Sequence, residues 1–290
     1  MGRLKSGKTI VRTQPTCIYQ EINKKRKGSP LIASSPTTYP EINKILELLY
    51  SSASRVLGSQ LVGMYLYGSL SGGDFDLETS DIDFLIVTAS TLSDKTIAEL
   101  ESMHHQIWKS GLKWAAKLEG SYIPKRDIRR HNPRSAPCPT VNEGEFYLDK
   151  RGSDWIIQRH VIREQGIVLA GPEPKTLIDP ISPEEIRRSV VGVLHEWWFP
   201  MLDDPAWLRD HPIGYHAFAI LSMCRVLHAL EHGAIVSKPK AAHWAQSQLG
   251  EEWRQVIEAA LAPYGNTQGI DLYNSSLDLI RFVKDRVDGL

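Results

Sequence analysis

Residues 65–87, YLYGSLSGGDFDLETSDIDFLIV, set two apolar runs on either side of a short polar return. Gly68 and Ser69 close the first run, and Asp81-Ile82-Asp83 opens the second, with eleven residues between Ser69 and Asp81. That interval holds a turn and a short return, so the two runs read as strands of one sheet. On a strand, residues at i and i+2 share a face, so Asp81 and Asp83 present both carboxylates to the same side.

The periodicity around this stretch gives the rest of the N-terminal half. Ile42, Ile45, Leu46, Leu48, Leu49 and Val56 recur at helical spacing as far as Gly58. Strands follow at Leu61–Tyr67 and Ile82–Val87, then a helix at Ser93–Ser110 with Ser93 as N-cap and Gly111 as its stop. Ala115–Ile123 reads as a third strand, with Lys117, Glu119 and Ser121 on one face. Arg129–Glu145 carries Pro133, Pro137 and Pro139 and reads as an irregular loop or lid.

Beyond residue 150 helical patterns dominate: Asp154–Gln165, Ser182–Trp198, Ile213–His232, Lys240–Leu249, Glu251–Ala262 and Leu272–Val287, with Gly233 and Pro263 as stops. Strands followed by helices predict an α+β fold, a mixed sheet with flanking helices and then an all-α bundle. The expected division is a basic, disordered extension at 1–39, a catalytic domain at 40–150 and a helical domain at 151–290. At 290 residues the chain has room for two cores.

Charge narrows the partners. Lys plus Arg (34) equals Asp plus Glu (34), which argues for a small-molecule substrate and against nucleic acid or a membrane surface. Residues 1–40 nevertheless carry eight basic residues and one acid, 8 − 1 = +7, leaving −7 for the remainder. Within them GRLKSGKT (residues 2–9) satisfies the P-loop pattern, but no strand precedes it to deliver the loop, so it reads as a chance match. Cys17, Cys138 and Cys224 show no metal or disulfide spacing, in keeping with a reducing cytoplasm. No apolar run suggests a membrane span or a secretory signal.

The residues of the opening stretch suit transfer of a nucleotide from ATP to a hydroxyl. Such a site must hold a triphosphate, neutralise it and align the attacking oxygen. Gly68 and Ser69 let backbone amides and a hydroxyl approach phosphate, the more so if Leu70 opens a helical turn. Ser80 lies beside the aspartates on the nucleotide side. Asp81 and Asp83 suit Mg²⁺, which takes a few carboxylates and keeps the rest of its shell for water and phosphate. Glu119 on the neighbouring strand supplies a third carboxylate, as metal ligand and as base for the hydroxyl.

The chain resembles the polymerase-beta-like nucleotidyltransferases, and within them the aminoglycoside (streptomycin/spectinomycin) O-adenylyltransferases with a helical C-terminal domain. LYGSLSGGDFDLETSDIDFLIV resembles their nucleotide motif, AAKLEGSYI the strand of their catalytic glutamate, and CRVLHALEHGAIVSKPKAAHWA their helix-loop-helix signature. The resemblance runs from about residue 41 to the end. It implies ATP and two Mg²⁺ ions, with Arg225, Lys238 (in a Ser-Lys-Pro turn) and Tyr264 at the nucleotide. In HEWWFPMLDD it implies Trp198 and Asp203 as contacts to a cationic sugar, by stacking and by charge. Read from pattern alone, Trp198 is also a core residue and Asp203 a helix cap. Asp154 matches a family aspartate at the domain junction, or caps the helix it begins. Around Phe146 and along His211–Phe218 the sequence departs from the resistance enzymes.

The expected function is thus ATP-dependent adenylylation of a hydroxyl on an aminoglycoside, releasing pyrophosphate. The same fold acting on another hydroxylated metabolite or a protein side chain, or binding nucleotide without turnover, are the alternatives. Monomer and homodimer stay equally open.

Overall fold

The computed structural model describes residues 36–262, 267 and 269–289. The basic extension up to residue 35, its P-loop-like octapeptide, Pro263 and Tyr264 lie outside the described residues. Helix α1 (Pro40–Leu57) opens the described fold, with proline in its first turn, where a missing N–H costs nothing. Its Ile42, Ile45, Leu46, Leu49 and Ala53 are wholly buried at helical spacing. Strand β1 (Leu61–Leu66), the short helix α2 (Gly68–Gly72) and strand β2 (Ile82–Thr88) follow. In α3 (Asp94–Trp108) the Ser93 hydroxyl caps the Thr96 amide, as its sequence position predicts.

Strand β3 (Leu118–Pro124) starts three residues later than expected, because Ala115–Lys117 forms a 3₁₀ turn. After α4 (Lys125–Arg129) come strands β4 (Cys138–Asn142) and β5 (Glu145–Asp149), in the region expected to be an irregular loop. Proline was the misleading signal there. The β3 ladder reaches β4 only at Thr140 and Val141, so Pro139 lies outside it and its missing N–H breaks no β3 bond. Helix α5 (Asp154–Gln165) keeps its expected bounds, and strand β6 (Ile167–Ala170) then returns to pair antiparallel with β1. The sheet thus takes a strand from beyond the expected 150/151 boundary.

The strand order is β5-β4-β3-β2-β1-β6, and only β2–β3 is parallel, so the sheet is mixed. Alternate residues of β2 feed opposite cores. Phe84 and Ile86 pack with α1 and α3, while Leu85 and Val87 pack with Tyr65, Trp155 and Ile162. In the first core the His104 ring and the Tyr122 hydroxyl are 2.7 Å apart, and burial drives the imidazole pKa down to about 3, so it stays neutral.

The remainder is helical: α6 (Pro174–Leu177), α7 (Pro183–Val193), a π-helical turn (Leu194–Trp198), α8 (Pro200–Asp203), α9 (Ala206–Asp210), α10 (Ile213–His232), α11 (Lys238–Gln248), α12 (Glu251–Leu261) and α13 (Leu272–Asp288). Ser182 and Glu185 form a reciprocal capping box at the start of α7. The expected helix to Trp198 widens at its end because Pro200 cannot donate to Glu196 and crowds that carbonyl. The Phe199 amide bonds Leu194 instead, at 2.8 Å. Helix α10 is the axis of the bundle, packed by α7, α11, α12 and α13. By length and composition alone it could cross a membrane, unlike any run expected from the sequence, but half of its most apolar window is buried in the core.

Candidate active site

Asp83 and Glu119 are the second residues of β2 and β3 and are direct partners in the parallel register. Gly68 follows β1 with φ +65°, and a Cβ there would lie 1.9 Å from Asp83 Oδ2. Only glycine lets the loop pass so close to that carboxylate. The Tyr67 amide donates to the Asp83 carbonyl at 3.2 Å, fixing the crossover. Ser69 lies in α2, which does open at Gly68. Ser80 closes the loop before β2: its hydroxyl accepts from the Asp76 amide at 3.0 Å. Asp81 precedes β2, and its Oδ1 accepts from Lys117 Nζ at 3.0 Å.

Two cations come from the bundle. Arg225 lies on α10, and Lys238 is the first residue of α11, not part of a free turn as expected. Lys238 Nζ sits 4.6 Å from the centroid of the Phe218 ring. Burial lowers the pKa of both cations, and the Asp83 charge opposes that shift in each. Burial raises Asp83 well above the usual carboxylate range, reinforced by Glu119 and Asp81 and opposed by Lys238 and Arg225. Burial also pushes Glu119 up to about 7, with Asp81 and Glu143 adding to it and Lys238 opposing.

Carboxylates crowded until their pKa values rise are the environment a divalent cation relieves. Among the described residues, however, no three His, Cys, Asp or Glu side chains are gathered into a ready metal cage. The expected set of Asp81, Asp83 and Glu119 is not preassembled, since Asp81 is engaged by Lys117. A pair of carboxylates still fits Mg²⁺, whose shell is commonly completed by water and substrate phosphates. A separate cavity of about 730 Å³, bordered by Arg130, Arg159 and Ser189, contains none of these groups.

Residues 176–287 match the family described as aminoglycoside adenylyltransferase, C-terminal domain. The spectinomycin 9-adenylyltransferase of Campylobacter jejuni is 25% identical over 265 residues, covering 86% of this chain and 95% of that protein. The enzyme of that name from Enterococcus faecalis is 24% identical over 271 residues, covering 87% and 97%. The chain is a homologue of the aminoglycoside adenylyltransferases. Its fold also matches a crystal structure of spectinomycin adenyltransferase AAD(9) with ATP and spectinomycin, at TM-score 0.60 and 18% identity, over 82% of this chain and 98% of that one.

In this homologue the other expected residues are placed unevenly. Trp198 is only 4% exposed and belongs to the bundle core, with its ring 5.7 Å from Phe218. No face of it is open for a sugar to stack on. Asp203 is exposed at the end of α8 and caps no helix; the neighbouring Asp204, just before the Pro205 N-cap of α9, accepts from the Ala206 amide at 3.1 Å. Asp154 begins α5 and accepts from Gln158 Nε2 at 2.7 Å, while burial raises its pKa against the pull of Arg151. Ser153 is the N-cap position of α5, and its amide and hydroxyl donate to Glu196 at 3.0 and 2.7 Å.

Several groups in the cleft were not anticipated. Tyr67 lies in the field of both Asp83 and Glu119, and burial with those charges raises its pKa. Arg151 Nη2 donates to Ser121 Oγ at 2.8 Å, beneath the strand that carries Glu119. Glu143 faces Tyr215, and Phe218 faces Lys238. The Glu143-Gly144 dipeptide was the available turn signal, but the prolines before it outweighed it.

Proposed function

We propose that this chain transfers AMP from Mg²⁺-bound ATP to a hydroxyl of an aminoglycoside of the spectinomycin or streptomycin type, releasing pyrophosphate. The observation that carries the reading is the in-register pair of Asp83 and Glu119 facing Arg225 and Lys238 from the helical bundle. The catalytic unit then extends to the end of β6, and the acceptor lies between sheet and bundle. A cytoplasmic location goes with this reading, because ATP is the co-substrate.

Asp83 and Glu119 would hold Mg²⁺, with Asp81 joining them once released from Lys117, and the ion would supply charge neutralisation at the phosphates. Lys238 and Arg225 neutralise the triphosphate, and Ser69 in the first turn of α2 and Ser80 in the loop after it border it. Tyr264 is proposed at the nucleotide by resemblance alone. Glu119 accepts the proton of the acceptor hydroxyl. In the metal-free protein its pKa is pushed up to about 7, chiefly by burial. The oxygen then bonds to the α-phosphorus, the bond from that phosphorus to the bridging oxygen breaks, and pyrophosphate leaves with the electron pair.

The test incubates purified protein with ATP, Mg²⁺ and either spectinomycin or streptomycin, and reads the acceptor by mass spectrometry. An AMP adduct with pyrophosphate release is expected for at least one of them. Absence of both products with either acceptor overturns the reading.

A further inference from the structure

Among the described residues, Glu143 is the one non-glycine residue with a positive φ, 48°, and Gly144 follows at 78°. Together they make the two-residue turn of the β4–β5 hairpin, where Asn142 pairs with Glu145. Both central residues of such a turn need φ above zero, so asparagine, aspartate or glycine is favoured at the first position. A glutamate held there carries backbone strain that a turn alone does not require.

The hairpin tip points toward the chemistry. Strand β4 runs antiparallel to β3 with Gly120 opposite Val141. The chain beyond Val141 therefore advances alongside Glu119, at the end of the sheet that carries Asp83. Here the Glu143 side chain accepts a 2.5 Å hydrogen bond from the Tyr215 hydroxyl of α10. No cation pairs with Glu143 among the described residues, although it stands within the electrostatic reach of Glu119.

Tyr215 belongs to an aromatic wall. Its ring centroid is 5.4 Å from Trp207 and 4.6 Å from His211, both edge-on, and Trp207 lies 5.2 Å from the exposed Trp197. Along α10, Tyr215, Phe218 and Arg225 stand at i, i+3 and i+10 on one face, spanning ~15 Å. One end of that face meets Asp83 through Arg225, and the other meets Glu143. The cleft thus has a cationic end for phosphates and, about a helix-length of three turns away, an acidic aromatic end.

We infer that Glu143, oriented by Tyr215 and bordered by the Trp207 face, is the seat for an ammonium group of the acceptor. This rests on the adenylyltransferase reading above and adds the acceptor's charge as the recognised feature. An unpaired carboxylate beside aromatic rings is a receptor for a ring-borne alkylammonium, such as the methylammonium groups of spectinomycin. It is also the pairing of aromatic and carboxylate that the sequence suggested for Trp198 and Asp203, supplied by other residues.

The test uses steady-state kinetics on the full chain with spectinomycin and ATP, comparing wild type with E143Q, E143N and Y215F. The E143Q and E143N variants should raise the acceptor KM about tenfold or more, with ATP KM and kcat within about twofold. Y215F keeps the carboxylate but frees it, and should show a smaller rise. Asparagine suits the positive φ, so E143N should unfold at the same temperature as wild type or higher. An unchanged acceptor KM in both Glu143 variants, or an equal rise in ATP KM, overturns the assignment while leaving the reaction intact. Wild-type turnover with neutral polyols but not with spectinomycin overturns the assignment and the acceptor reading together.

Discussion

Asp83 and Glu119 face each other across the parallel β2–β3 pair, so their carboxyls leave the sheet side by side. Neither is exposed, and Glu119 raises the cost of ionising Asp83 in a place where burial already disfavours charge. The site is built under electrostatic load, with Lys238 and Arg225 offsetting part of it from the other side of the cleft.

That load makes Glu119 costly to the folded state. Its pKa is about 7 when folded against 4.5 as a free side chain, so between those values the native state binds more protons than the unfolded one. Its stabilising contribution is complete below about pH 4.5 and is lost as pH rises through about 7. Without metal at pH 8, Glu119→Gln should stabilise the protein by ~1–3 kcal/mol. The same variant should lose about 10²- to 10⁴-fold in kcat. Chemical denaturation with a chelator present and initial-rate assays with Mg²⁺ check the two halves; a Gln variant that is less stable at pH 8 refutes the first.

Gly68 should tolerate no side chain. Its positive φ disfavours any L-residue, and a Cβ 1.9 Å from Asp83 Oδ2 would have to displace that carboxylate. Gly68→Ala should lower kcat/KM for ATP by about 100-fold or more, equivalent to ~2.7 kcal/mol of transition-state stabilisation. The circular dichroism spectrum should stay native. Near-normal turnover would mean that Asp83 does not need its observed position.

Lys238 is held for its task before any ligand arrives. The Phe218 ring lies 4.6 Å from its ammonium, and helix α11 begins at its backbone. Lys238→Ala should raise the ATP KM about 10- to 100-fold with little change in acceptor KM. Lys238→Arg should recover only part of this, because a planar guanidinium does not reproduce a compact point charge. Rates measured over a range of ATP at saturating acceptor separate the variants, and an unaltered ATP KM removes Lys238 from the nucleotide site.

The half of the site on the sheet was legible because local signals agree there. An i, i+2 pair of aspartates, a Gly-Ser loop and apolar runs on both sides all point to one strand-turn-strand unit. The acceptor half was not. Glu143 comes from a hairpin hidden by prolines, and Tyr215 from a helix 72 residues further on. Their meeting is a tertiary fact with no spacing signature. β6 was missed for a related reason: four residues of moderate burial gain their strand identity only by pairing with β1.

Trp198 is the opposite case, an aromatic for which the resemblance implies binding and the pattern alone a core position, and its surroundings are core. It is 4% exposed in a cluster with Leu194, Met201 and Ile220. Trp198→Ala should therefore destabilise the protein by ~3–5 kcal/mol in urea unfolding, the cost of losing a buried ring and leaving a cavity. Trp198→Phe retains most of the buried surface and should hold most of the stability. If the residue acts only through packing, the Phe variant keeps its streptomycin and spectinomycin KM values within about twofold of wild type. A tenfold rise in either, at wild-type stability, would show instead that the bundle opens enough to present the indole to the sugar.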